Sequence, residues 1–262
     1  MGDEASVNSG SYQVNSGDLV LSDIVPRTGI YRVYIKGAYR RICMNMGTTD
    51  KPLTAKVAPA LTAVESWGDI EWENMRFAFA GCQNLTNLPL TAPDLRKVTD
   101  MGGMFIAASK LNHDMSNWDV SQVSDMTAVF AGASVFNGNI GSWDVSNVTV
   151  MAGMFQRAKL FNQDIGTWNV GKVTDMMMMF NEAELFNQNI AYWDVKNVTD
   201  MNSMFKDALV FNQDIGSWNV DKVISMKSMF EGAINFNQPL DKWNVGKVID
   251  MSNMFRGAQK LK

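Results

Sequence analysis

The sequence predicts an α/β repeat fold: a leucine-rich-repeat-like solenoid of about eight 25-residue units, behind a small N-terminal β cap. Three observations predict it. Tryptophans stand at Trp118, Trp143, Trp168, Trp193, Trp218 and Trp243, a spacing of 25 residues without slippage. The first methionine of each unit repeats in parallel, at Met75, Met101, Met126, Met151, Met176, Met201, Met226 and Met251, and a tryptophan stands eight residues before it in seven of these eight units. The unit length falls among repeat architectures of ~20–29 residues, in which no unit can bury its apolar face alone and stacking buries all of them in one core. The Trp-Asp dipeptide invites a propeller, but 25 residues cannot supply the four strands of a blade.

Within a unit, Met151, Met154, Phe155 and Ala158 fall at i, i+3, i+4 and i+7, which predicts a short helix. The pairs Thr99-Asp100, Ser124-Asp125, Thr174-Asp175 and Thr199-Asp200 stand just before that run, where an N-cap belongs, and Asp250 fills the same place. Phe161-Asn162-Gln163-Asp164-Ile165-Gly166 predicts a short strand ended by glycine. Asn112, Asn137, Asn162, Asn187, Asn212 and Asn237 predict a column of amides bonded to the backbone of their own and adjacent turns.

Before the array, residues 1–17 are rich in Gly, Ser, Asn and Asp and read as a flexible or partner-ordered lead. Residues 18–58 form the expected β cap, with candidate strands at Gly29–Gly37 and Ala38–Met44. Residues 59–262 are the solenoid. The net charge of -4 argues against a nucleic-acid footprint. No stretch approaches the ~18 apolar residues of a membrane span, and no signal peptide is visible at Met1. Cys43 and Cys82 lie far apart without metal spacing, so neither a disulfide framework nor a metal centre is expected.

The repeat phrase, W-[DN]-V-x-x-V-[TSI]-D-M-x-x-M-F-x-x-A-x-x-F-N-Q-[DN]-I, resembles the roughly 25-residue repeat of BspA-like bacterial surface lipoproteins over about Trp67 to Lys262. The first unit, Phe79-Ala80-Gly81-Cys82-Gln83-Asn84-Leu85-Thr86-Asn87-Leu88-Pro89-Leu90, is similar to the sister BspA-type leucine-rich repeat. The resemblance implies a surface-exposed adhesion or recognition protein and no catalytic residues.

Each ladder has a plain structural reading beside a functional one. Methionine at helical spacing reads as core before it reads as an adaptable binding surface. The tryptophans read as packing before they read as a carbohydrate-stacking row. The alternating Asp114, Asn139, Asp164, Asn189 and Asp214 lack the dense Gly-Asp spacing of calcium-binding β-helices, so no cofactor or metal is expected. His113, the one histidine, replaces a repeat glutamine and reads as an exposed substitution; Cys82 takes the slot of Ala158 and reads as a small buried residue. With no constellation of acid, base and nucleophile, an enzyme is not expected.

The leading expectation is a non-enzymatic recognition protein at the cell surface or secreted, binding a protein or glycan receptor through polar positions near the strand. These are Gln163, Asp164, Thr167, Gln188, Asn189, Tyr192, Gln213, Asp214 and Ser217. The alternative is a virion structural protein, a spike, head fibre or tail-associated adhesin, that docks on other structural subunits through residues 1–17.

Overall fold

A computed structural model of the chain describes residues 19–20, 42–43 and 58–262. Strand β1 (Leu19–Val20) pairs in parallel with β2 (Ile42–Cys43), Leu19 opposite Ile42. The candidate strand Gly29–Gly37, the lead 1–17 and most of Ala38–Met44 lie outside the described residues. A single 3-10 turn, Ala58–Ala60, leads into the array.

From there the chain is a stack of coils, but it is not the expected α/β solenoid. No α-helix and no further strand occur among the described residues; the coils are built from consecutive tight turns joined by isolated parallel bridges. The coil of Met151 shows how. The N–H groups of Met151, Gly153, Phe155 and Arg157 donate to the carbonyls of Asp175, Met177, Met179 and Asn181 in the next coil, at 2.7–3.0 Å. The intervening N–H groups of Met154, Gln156, Ala158 and Phe161 close turns onto the carbonyls three residues back, at 3.0–3.1 Å. Gly153 and Arg157 have φ of 63° and 60°, the third-residue signature of a type II turn. Positive φ recurs in the same two places at Met178 and Glu182 and at Ser203 and Asp207.

A helix would send every N–H to its own chain four residues back. Here alternate N–H groups leave the coil, and each left-handed residue breaks helical propagation. The periodicity misled because two successive turns point Met151, Met154, Phe155 and Ala158 inward just as a helix would; all four are fully buried. The strand expected at Phe161–Gly166 does not form either. Bridges join the residue before each methionine instead, as in Asp175 with Asp200 and Ser225 with Asp250.

The core is three aromatic columns. Equivalent rings stand 5.6–5.8 Å apart in the column of Phe105, Phe130, Phe155, Phe180, Phe205, Phe230 and Phe255. They stand 5.9–6.1 Å apart from Phe136 through Phe161, Phe186 and Phe211 to Phe236. From Trp143 through Trp168 and Trp193 to Trp218 the spacing is 6.5 Å with planes within 3° of parallel. Offset stacks of this kind add about 0.5–1.5 kcal/mol per pair beyond area burial. The first methionines of the units from Met75 to Met226 and the tryptophans are core, while Met251 in the last coil is exposed, and Cys82 is fully buried.

The spacing gradient bends the stack. On the methionine side, direct backbone bonds hold successive coils close. On the tryptophan side the links are longer side chains: the indole N–H groups of Trp168, Trp193, Trp218 and Trp243 donate to the carbonyls of Ile140, Ile165, Ile190 and Ile215 at 3.1–3.3 Å. The methionine-turn face is thus concave and the tryptophan face convex. The pattern breaks at Trp118. The carbonyl of Leu90, 28 residues before Trp118, is taken by the Asn117 amide at 2.8 Å, and the buried Trp118 indole N–H has no hydrogen-bond partner.

Candidate recognition surface

Asp and Asn build the corners of each coil. In the coil of Trp168, Asn169, Asp175 and Asn189 each accept the N–H two residues on, at Gly171, Met177 and Ala191, with distances of 2.9–3.2 Å. These are Asx turns, in which a short acceptor satisfies the backbone of a tight corner. The residues read as helix caps, Asp100, Asp125, Asp175, Asp200 and Asp250, do this at 2.7–2.9 Å. They cap turns, since no helix follows them.

The nine polar positions divide into two groups. Asp164, Thr167, Asn189, Tyr192, Asp214 and Ser217 are exposed, with Tyr192 at 88 %. One side-chain oxygen each of Asp164, Asn189 and Asp214 is fixed in an Asx turn, to Gly166, Ala191 and Gly216. Gln163, Gln188 and Gln213 are half-buried. The Gln188 amide donates to the Asn162 carbonyl at 3.0 Å, and Gln213 donates to the Asn187 carbonyl and side chain at 2.9 and 3.0 Å. Gln188 and Gln213 therefore tie coils together. His113 occupies the same slot and is half-buried, not exposed. The asparagine column does what its chemistry implies: the side-chain oxygens of Asn137, Asn162, Asn187 and Asn212 accept the N–H groups of Asn162, Asn187, Asn212 and Asn237 at 2.8–2.9 Å.

Charge on the surface is locally balanced. Glu71, Asp94, Arg96 and Lys97 line a cleft of about 230 Å³. Hydrogen bonds from Arg96 hold the Asp94 carboxyl down at about 2, and Lys97 meets Glu71 at 2.6 Å. Asp175 is different: burial, with the facing Asp200 adding to it, pushes its carboxyl above the ordinary value against the pull of the Met177 N–H. No group of three His, Cys, Asp or Glu side chains gathers as a metal site among the described residues. No helix among them is long and apolar enough to cross a membrane.

A second variable surface escaped the sequence reading. Gln156 and Arg157, Glu182, and Lys206 with Glu231 stand on the methionine turns, while Asn181 in the same register is buried. Arg157 meets Glu182 at 3.0 Å and Lys206 meets Glu231 at 3.1 Å. The signal that would have found them is variation between units at the positions the i, i+3, i+4, i+7 pattern leaves out.

The sequence pattern of the family described as "Mycoplasma protein of unknown function, DUF285" matches residues 73–184 and 161–262. The chain belongs to that family. The matched span is the coil array itself, and the family's description assigns no function. No curated protein matches the chain. One solved structure, the crystal structure of the TLR13–ssRNA13 complex, is similar at 12 % identity and a TM-score of 0.28, over 78 % of this chain. The chain spans about a third of that one, 32 %. A likeness at this level says nothing of fold or ligand.

Proposed function

We propose that the chain is a non-enzymatic recognition or adhesion module of the BspA-like surface class, acting at the cell surface or secreted and binding a protein or glycan receptor. The observation that carries this reading is the Tyr192 ring, 88 % exposed, in the row between Thr167 and Ser217 of the neighbouring coils. An exposed tyrosine is a large, rigid anchor with little conformational entropy to lose on binding. Asp164, Asn189 and Asp214 run beside it, each fixed by its own turn. A row of fixed polar groups beside an aromatic ring suits an extended ligand lying along the stack. Of the three glutamines, Gln163 shares the half-buried slot in which Gln188 and Gln213 bond the preceding coil, so they contribute as supports for the row rather than as its contact atoms.

The test is binding of the purified chain to a printed glycan array and to an array of extracellular-matrix proteins. The variant carries Tyr192→Ala with Asp164→Asn and Asp214→Asn, which remove the charges and keep the turn acceptors. The expected result is binding by the native chain and at least a tenfold loss in the variant at unchanged thermal stability. Equal binding by both, or no binding by the native chain on either array, refutes the reading.

A further inference from the structure

The position nine residues after each methionine carries Asn84, Lys110, Val135, Leu160, Leu185, Val210, Asn235 and Lys260 in successive coils. Its middle four members are aliphatic, and none belongs to the core. Leu160 and Leu185 are 44 % and 47 % exposed, and Val135 and Val210 are half-buried. The backbone joins the column from coil to coil: Leu160 N–H donates to Ser134 and Leu185 N–H to Lys159, at 3.2 and 3.1 Å. One position earlier, Lys159 and Glu184 form an exposed ion pair at 2.7 Å. The result is a short apolar ridge, ended by polar side chains, with one cation and one anion beside its centre.

The order Val, Leu, Leu, Val reads the same in both directions. We infer that two copies of the chain pair antiparallel through this ridge, about a two-fold axis passing between the coils of Leu160 and Leu185. That symmetry sets Leu160 against the partner's Leu185 and Val135 against the partner's Val210, an isologous contact. It also sets Lys159 against the partner's Glu184, and Glu184 against the partner's Lys159. A parallel pairing would oppose lysine to lysine and glutamate to glutamate, which like-charge repulsion disfavours. The charges thus select one orientation, while the leucines supply apolar area. Four aliphatic side chains per copy lie at the small end of interface sizes, so the dimer is a weak one, with a dissociation constant of roughly 10 µM to 1 mM. This pairing does not depend on the Tyr192 row having a ligand.

Sedimentation velocity of the full chain over that concentration range tests it. The native chain is expected to show a monomer–dimer equilibrium. Lys159→Glu alone and Glu184→Lys alone each place like charges across the two-fold and are expected to lower the dimer fraction at least fivefold. A one-to-one mixture of the two variants restores opposite charges at both contacts and is expected to recover the native dimer fraction. Leu160→Ser with Leu185→Ser is expected to abolish pairing. A native chain that stays monomeric at 1 mM overturns the proposal, including when the mixture alone dimerises, which marks parallel pairing. Single-charge variants that associate as well as the native chain also overturn it. All the substituted side chains are at least one-third exposed, and an unchanged far-ultraviolet spectrum and thermal midpoint confirm folding.

Discussion

Replacing Asn187 by alanine tests how the coils are joined on their convex side. The Asn187 side-chain oxygen accepts the Asn212 N–H at 2.9 Å and the Gln213 amide at 3.0 Å. Alanine removes both contacts. Gln213 keeps its 2.9 Å bond to the Asn187 main-chain carbonyl, so the main loss is the Asn212 N–H. A buried donor left without an acceptor costs about 1–3 kcal/mol. Asn212 is half-buried and water reaches it in part, so the expected cost is about 1–2 kcal/mol. The control is Asn112→Ala, which removes the same 2.9 Å bond to Asn137 at an exposed position, where water substitutes. There the expected cost is within about 0.5 kcal/mol. Urea unfolding at equal m-value reads the difference, and hydrogen exchange at the Asn212 amide reads it locally, with protection falling about tenfold. Equal midpoints for the two variants, or undiminished protection at Asn212, would show that the amide column does not hold the coils.

Three further outcomes follow from the same geometry. Phe180→Ala removes a fully buried ring that stacks on Phe155, Phe186 and Phe205, and should cost about 3–5 kcal/mol, seen as a large fall in the urea midpoint. Asp175→Asn keeps an acceptor for the Met177 N–H and removes a desolvated charge facing Asp200. A carboxyl raised by folding destabilises when ionised, so the native chain gains stability as pH falls from Asp175's raised folded value toward its ordinary one. The variant should be more stable near neutral pH by roughly 0.2–1 kcal/mol and should lack that gain on acidification, measured by thermal midpoints across the acid range. Ala107→Gly relieves a left-handed alanine at φ 57°, in the register that Gly132 and Gly257 occupy, and should raise stability by about 0.5–1 kcal/mol once glycine's greater unfolded-state freedom is set against the relief.

The register of the array was legible from the tryptophans and methionines, and so was the identity of its core, because burial depends only on which side chains point inward. The amide column was legible because asparagine offers an acceptor of the right length at every coil. The secondary structure was not. Inward positions at i, i+3, i+4 and i+7 are shared by a helix and by paired type II turns, and periodicity cannot separate them. Residues within the run could have done so. Gly102-Gly103, Gly153 and Gly232 sit where a helix loses about 1 kcal/mol per glycine relative to alanine, and an isolated run of eight residues is too short to nucleate a helix unaided. Of the nine surface positions, six proved exposed, while Gln188 and Gln213 were drawn back into the stack because their longer side chain reaches the preceding coil's carbonyl.

One rule connects the turns, the curvature and the surfaces. Because alternate N–H groups leave the coil, half of the backbone donors on the methionine side depend on a neighbour for their partner. A lone coil would leave those groups and its apolar side chains facing water, so the unit gains its stability only in series. The same alternation leaves the residues between the inward positions facing out, so they vary from coil to coil at little cost to the stack. On the tryptophan side the links run through indole and amide groups, and there the outward positions include the Asx corners and the residue before each tryptophan. Tyr192 occupies that last position. A ring there projects from a backbone clamped by the Asn189 turn before it and the buried Trp193 after it, so its backbone is held from both sides.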